Sequence, residues 1–246
     1  MCGIIAICNN DKKEINILNI YNSYKILKNR GPDNGNFIVN DDKIMGFRRL
    51  TINDISSDGN QPFNKGENVL MCNGEIFNYK ELIKKYNLDC KSESDCECII
   101  HLYDKLGFHQ LITELIGDFA IVLFTKDKFY FGCDRVGVRP LFYGFTKDNN
   151  LSVASYARAL TGLCDNINQL KPGWAEYNYS NNKLDFFKYD PPQKREIKQD
   201  IYETVHNLLT TSVKDRLMSD RPIGCLLSGG LDSSLITSIL CKLVGP

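Results

Sequence analysis

The sequence predicts an α+β domain of packed antiparallel sheets, followed by the incomplete start of an α/β unit. Three observations carry this. Short apolar runs separated by turn residues recur from residue 36 to residue 187, as in antiparallel sheets and unlike the longer spacing of βαβ repeats. Two stretches with apolar residues three and four apart lie among them, and helices on the outside of two packed sheets account for that order. Beyond residue 190 the pattern becomes helix, apolar run, Ser-Gly-Gly, helix.

Taken in order, Ile4 and Ile5 read as a buried strand, and Ile17, Ile20, Tyr21, Tyr24 and Leu27 give residues 14–28 an amphipathic helical stripe. Gly31 fits a helix C-terminal position and Pro32 ends the helix. Strands are expected at 36–39, 43–52 and 68–72, with Asp58-Gly59 and Lys65-Gly66 as turns. Ser94 and Glu97 have the spacing of a capping box, and Ile99, Leu102, Tyr103 and Leu106 supply the buried face of the helix it starts. Further strands are expected at 119–124, 128–133, 141–145, 151–155, 174–179 and 183–187. The polar, proline-containing stretch 189–195 reads as a linker, placing one domain at 1–190 and a partial one at 191–246. There a helix over 200–218 and a buried strand over 223–227 lead into a last helix. One strand and two helices are too few for a stable α/β sheet.

With 246 residues and 43% hydrophobic content the chain can bury a substantial core. Zero formal net charge and the lack of a basic run argue against nucleic acid as a partner. No apolar run reaches the ~18–20 residues that span a bilayer. Ten scattered cysteines and no secretory-type N-terminus point to a soluble protein of the reducing cytosol.

The N-terminus offers the first chemistry. Once the initiator methionine is removed, the Cys2 thiol sits beside a free α-amino group. The amine titrates near ~7.7–8.0 and the thiol near ~8.5, so the amine can act as the thiol's base. Taken alone, a cysteine at the start of an apolar strand reads as core. In Cys72-Asn73-Gly74-Glu75 the Asn73 side-chain amide and the Gly74 N–H can stabilise an oxyanion, although Asn-Gly is also the strongest short hairpin signal. Arg49, aimed inward, can bind an α-carboxylate, and Asp95 an α-ammonium; a surface arginine and a first-turn helix carboxylate are the plain alternatives. Between the apolar run and the last helix, Leu227-Ser228-Gly229-Gly230-Leu231-Asp232-Ser233-Ser234 has the makings of an anion nest, without the lysine of a Walker loop. Cys96, Cys98 and His101 read as unliganded helix residues, since Cys-X-Cys on a helix points its sulfurs apart. His109 and His206 show no partner pattern, and Asn178-Tyr179-Ser180 is a glycosylation site only in a secreted protein.

Met1-Cys2-Gly3-Ile4, Arg30-Gly31-Pro32-Asp33, Arg49-Leu50-Thr51-Ile52, Asn73-Gly74-Glu75-Ile76-Phe77-Asn78 and Ser94-Asp95-Cys96-Glu97, in that order, resemble the class II glutamine amidotransferases over about the first 190 residues. These belong to the N-terminal-nucleophile hydrolases, a four-layer αββα sandwich. The resemblance implies that Cys2 attacks the glutamine side-chain amide and that Asn73 and Gly74 form the oxyanion hole. Arg49, Leu50, Thr51, Ile52, Asn53, Asn73, Gly74, Glu75 and Asp95 then bind glutamine. Cys133 to Leu141 and Leu170-Lys171-Pro172-Gly173 extend the match, with departures. Cys133 stands where the family has Arg, and Tyr156 where it has Glu, which puts coupling between sites in doubt more than hydrolysis.

The second motif resembles the PP-loop of ATP pyrophosphatases. It implies ATP binding by Leu227, Ser228, Gly229, Gly230, Asp232 and Ser233, with Mg²⁺ held by Asp232. The two motifs together resemble the glutamine-dependent asparagine synthetases, which pass ammonia to an ATP-activated aspartate. A different ammonia acceptor, or a non-catalytic truncated subunit, are the alternatives. A homodimer and association with a separate synthetase half both stay open.

Overall fold

A computed structural model describes residues 1–12, 14–192 and 200–245. The chain divides into two compact units, Met1–Tyr189 and Asp190–Pro246. Residues 193–195 of the expected linker lie outside the described residues.

The first unit begins with β1 (Gly3–Cys8), α1 (Ile17–Ile26), β2 (Asn34–Val39), β3 (Lys43–Arg49), β4 (Phe63–Lys65) and β5 (Asn68–Ile76). Two helices come next, α2 (Tyr79–Tyr86) and α3 (Cys98–Glu114), and then β6 (Gly117–Phe124) and β7 (Lys128–Cys133). It closes with β8 (Phe142–Phe145), β9 (Leu151–Ala154), β10 (Asn168–Gln169), β11 (Gly173–Asn178) and β12 (Lys183–Phe187). The strands form two six-stranded sheets, ordered β10-β8-β9-β1-β3-β2 and β12-β11-β7-β6-β5-β4, with antiparallel pairing throughout.

Three apolar layers bind the unit. Ile4, Phe47, Met71, Val122 and Phe131 fill the space between the sheets. Ile5, Ile7 and Ile44 pack outward against Ile20 and Tyr24 of α1. Leu70, Ile121 and Leu123 pack outward on the other side against Leu82 of α2 and Ile99, Leu102 and Leu111 of α3. The result is the four-layer αββα order. The unbroken run Ile4-Ile5-Ala6-Ile7 is a consequence of it, because β1 is covered on both faces. Each fully buried Ile or Leu stabilises this arrangement by about 1.5–3 kcal/mol relative to exposure.

Several local expectations change. Asn73 and Gly74 lie inside β5, which runs on to Ile76, so they are no hairpin turn. The strand expected over 43–52 stops at Arg49, and 50–54 forms a loop. Gly31 is not a left-handed helix cap. A Cβ there would lie 2.2 Å from the Arg48 carbonyl, so glycine is required by the close approach of β3. The capping box does not form either. The Glu97 carboxylate accepts from Lys91 N and from Ser92 N and Oγ, while Ser94 Oγ accepts from Cys96 N. Loop satisfaction has taken the groups that local spacing assigns to the helix. The short α2 went unanticipated, although Tyr79, Leu82, Ile83 and Tyr86 are spaced three and four apart and pack on the core; it ends at Asn87 with φ 48°.

In the second unit, α4 (Ile201–Asp215) is capped by the Asp200 side chain on Tyr202 N, and α5 (Leu231–Val244) starts after Gly230. Residues 223–227, expected as a buried strand, form none, and Leu226 is 95% exposed. Extended chain becomes a strand only when another supplies ladder partners, and none lies beside it among the described residues. No helix among the described residues is long and apolar enough to cross a membrane.

Candidate active site

A single cavity in the first unit gathers Cys2, Arg49, Leu50, Ile52, Asn53, Asn73, Gly74, Glu75 and Asp95. Of the expected glutamine-site residues only Thr51 does not line it. Thr51 N donates to Asp33 Oδ2 at 2.8 Å, which holds the loop after β3.

Cys2 sits at the head of β1. Its Sγ accepts from Leu50 N at 3.3 Å and lies 3.6 Å from Leu50 O. Arg30 Nε donates to the Cys2 carbonyl at 3.0 Å, and Ile4 N donates to Ser155 Oγ at 3.0 Å, so the chain is fixed on both sides of the thiol. Burial pushes the Cys2 thiol up to about 11, against the Leu50 N–H bond that lowers it. At neutral pH it is therefore a thiol and needs a base to react. With Met1 in place the Cys2 nitrogen is an amide and supplies none.

The strand β5 presents the donor groups. Its residues alternate, so Met71 and Asn73 face the space between the sheets while Cys72 faces α3. Asn73 is 1% exposed, and its Nδ2 is buried without a hydrogen-bond partner. A buried donor left unmade costs about 1–3 kcal/mol, and its position on this cavity is the strongest sign of a ligand atom to come. Backbone directions alternate too. The N–H and C=O of Cys72 point away from β6, toward the β4 side, so those of Gly74 do as well, and there β4 has ended and the cavity begins. Gly74 is glycine because a Cβ would meet Asp118 O at 2.2 Å and Phe119 Cα at 2.5 Å across the ladder. The close approach is to β6 and not to a substrate.

Asp95 is 3% exposed and lines the same cavity. Its Oδ2 accepts from Ile76 N at 2.7 Å and its Oδ1 from Asn53 Nδ2 at 3.2 Å. Desolvation still raises its carboxyl to about 6. Glu75 pairs with Arg139, Nη2 to Oε2 2.6 Å. Arg49 is buried as expected, but its two terminal nitrogens are already engaged. Nη1 donates to Ser56 O and Asn60 Oδ1, both at 2.8 Å, and Nη2 donates to Asn53 O at 3.1 Å and to Asp54 O. It positions the 53–60 loop as well as lending charge to the cavity, so a bidentate grip on a carboxylate requires these bonds to exchange.

Arg30, Asp33, Gln61 and Arg139 act on the site without having been singled out for it. Arg30 and Asp33 stood in the Arg-Gly-Pro-Asp motif, and Arg139 beside Asp134, whose carboxylate accepts five backbone N–H groups: Phe119, Val136, Gly137, Val138 and Arg139. Gln61 carried no sequence signal. Cys96 Sγ lies 3.6 Å from Gly74 O and Cys98 Sγ 3.2 Å from Asp95 O, so the two thiols serve different carbonyls. His109 has partners after all, Glu176 at 3.0 Å and the indole N–H of Trp174 at 3.3 Å, brought together by packing of α3 on β11.

In the second unit, Ser228 Oγ and Ser233 Oγ lie 2.9 Å apart and Ser233 Oγ donates to Gly230 O at 3.1 Å, beside the exposed N-terminus of α5. Hydroxyls and free N–H groups of this kind fit a phosphate. Asp232 is the acidic residue of the first helical turn, and among the described residues no group of three or more His, Cys, Asp or Glu could hold a metal ion by itself. A lone carboxylate fits Mg²⁺ only where phosphate oxygens supply most of the ligands.

Residues 1–215 match the glutamine amidotransferase domain, and residues 204–245 match asparagine synthase. The chain belongs to the glutamine amidotransferase domain family. Similar proteins include a probable glutamine-hydrolyzing asparagine synthetase of Acanthamoeba polyphaga mimivirus, 36% identical over 282 residues, covering 100% of this chain and 50% of the relative. Asparagine synthetase B of Escherichia coli is 35% identical over 233 residues, covering 89% and 40%. The chain spans about half the length, or less, of the curated relatives it matches. The glutamine phosphoribosylpyrophosphate amidotransferase of B. subtilis superposes with TM-score 0.66 at 15% identity, over 96% of this chain and 63% of that one. An allosteric regulatory enzyme of purine biosynthesis gives 0.65 at 18%, over 79% and 50%. These structures share the fold of the family, two antiparallel sheets with helices.

Proposed function

We propose that the first unit is a glutaminase and that its ammonia serves asparagine synthesis, with the second unit contributing the phosphate-binding loop for ATP. The observation that carries this is the buried, unpartnered Asn73 Nδ2 on the cavity that also holds Cys2.

Methionine removal frees the Cys2 amine, which takes the thiol proton directly or through water. The sulfur then adds to the side-chain carbonyl carbon of glutamine, and the carbonyl oxygen becomes an oxyanion received by Asn73 Nδ2 and Gly74 N–H. The ammonium so formed at the N-terminus returns its proton to the departing nitrogen, and ammonia leaves. Water hydrolyses the thioester to glutamate and restores the thiol. Asp95 holds the α-ammonium of the substrate, and Arg49 with the 50–53 backbone receives the α-carboxylate. Glu75, kept in place by Arg139, borders the same cavity.

The acceptor reading rests on the family match at 204–245 and on relatives named as asparagine synthetases. Aspartate, ATP and Mg²⁺ are the implied reactants, with Ser228, Gly229, Gly230 and Ser233 around the phosphates and Asp232 toward the cation. Bound Mg²⁺ neutralises phosphate charge.

Glutamate release from glutamine, monitored together with intact mass, tests the first step. Activity is expected only from chain starting at Cys2, and Cys2→Ala is expected to lower it at least a thousandfold. Equal activity in Cys2→Ala would overturn the assignment.

A further inference from the structure

The oxyanion-side edge of β5 is held by a side chain outside the sheet. β4 pairs with β5 in the register Phe63 with Leu70 and Lys65 with Asn68, and continuing that ladder sets residue 61 opposite Cys72. The backbone ladder does not continue there. Pro62 has no N–H to offer, and the Gln61 carbonyl is turned to Asn36 Nδ2 at 2.6 Å. The Gln61 primary amide takes the place of a peptide group: its Oε1 accepts from Cys72 N at 2.6 Å and its Nε2 donates to Cys72 O at 3.0 Å. Gln61 is 5% exposed and borders the Cys2 cavity.

We infer that Gln61 is a positioning residue for the oxyanion hole. Its two bonds fix the peptide groups of Cys72 from the outer side while Ile121 of β6 pairs with Cys72 from the inner side. Asn73 and Gly74 come directly after it, so their donors inherit the orientation set at Cys72. Among the described residues no other strand supports the outer edge beyond β4. A strand edge free to rock by a few tenths of an ångström would misaim both donors, whose contribution depends on distance and angle to the developing charge. Glutamine suits this position because only a primary amide offers a donor and an acceptor side by side in the geometry of a peptide. The inference rests on the glutaminase reading.

The test uses the whole chain processed to begin at Cys2, residues 2–246. Gln61→Met keeps the length of the side chain and removes both bonds. Its kcat for glutamate formation is expected to fall about tenfold or more, with KM changed less than about threefold. Alkylation of Cys2 by iodoacetamide, read on the N-terminal peptide by mass spectrometry, should keep its rate, because displacement at a saturated carbon builds no oxyanion. Gln61→Glu retains the acceptor for Cys72 N–H and should fall between parent and Gln61→Met; it also decides the matter if the methionine variant does not fold. A parental kcat in either variant overturns the positioning role. So does a parallel loss of kcat and alkylation rate, which marks general collapse of the site. A parent chain with no Cys2-dependent activity overturns the glutaminase reading itself, and the positioning role with it.

Discussion

Replacing Asp95 by Asn should move binding and stability in opposite directions. In the unliganded protein the Asp95 carboxyl is raised from 3.8 to about 6, chiefly by burial. Its ionised form therefore costs the native state about 3 kcal/mol at pH 7. A carboxyl whose folded pKa is raised binds its proton more tightly in the native state. Stability from this group is therefore present at low pH and lost as pH rises from about 4 through about 6. The α-ammonium of glutamine adds an opposite charge to the two neutral donors Asp95 already has, and a charge-assisted hydrogen bond is worth about 1.5–3 kcal/mol. Asp95→Asn should then lower kcat/KM about ten- to a hundredfold at pH 7. In both proteins kcat/KM should fall with pH as the Cys2 amine protonates; in the parent the fall should steepen below pH about 6 as Asp95 protonates too, and the variant should lack that added steepness. Initial rates of glutamate formation between pH 5 and 8, with urea unfolding of both proteins at pH 4.5 and 7, measure the two halves. The parent-minus-variant stability difference should favour the parent more at pH 4.5 than at 7. A variant with parental kcat/KM, or parent and variant profiles of the same steepness below pH 6, would refute the reasoning.

The same geometry sets three further outcomes. Asn73→Ala, which removes the buried unpartnered donor, should reduce kcat about a hundred- to a thousandfold with little effect on KM, read from steady-state kinetics. Gly74→Ala drives a Cβ to 2.2 Å from Asp118 O, so the β5–β6 ladder must shift; a loss of about 1–3 kcal/mol is expected in urea titration, with activity falling alongside. Asp134→Ala strips the acceptor from Phe119 N and from four consecutive N–H groups at 136–139, and should cost about 2–5 kcal/mol. It should also loosen Arg139 from Glu75, visible as faster proteolysis of the 135–140 loop.

Period, composition and local chemistry specify much of this protein before any long-range contact is known. Short apolar runs between turn residues placed most strands of the two sheets within a few residues, because a strand covered on both faces stays apolar along its length whatever its neighbours are. The stripe from Ile17 to Leu27 marked α1 by its period of 3.6. Cys2, Asn73-Gly74 and Asp95 were also legible, since their chemistry is carried by residue type and order. Contacts across the fold settled the rest. Whether Asn73-Gly74 turned or stayed extended depended on β6 lying alongside; whether 223–227 became a strand depended on a partner strand; and whether Ser94 and Glu97 capped a helix depended on loop N–H groups at 91 and 92 that claimed Glu97 first. Gln61 and Arg49 show the limit most clearly. Each is a polar side chain whose role is set by backbone groups remote in pairing though near in number, and hydrogen-bond partners across a fold are fixed only when burial forces every polar group to find one.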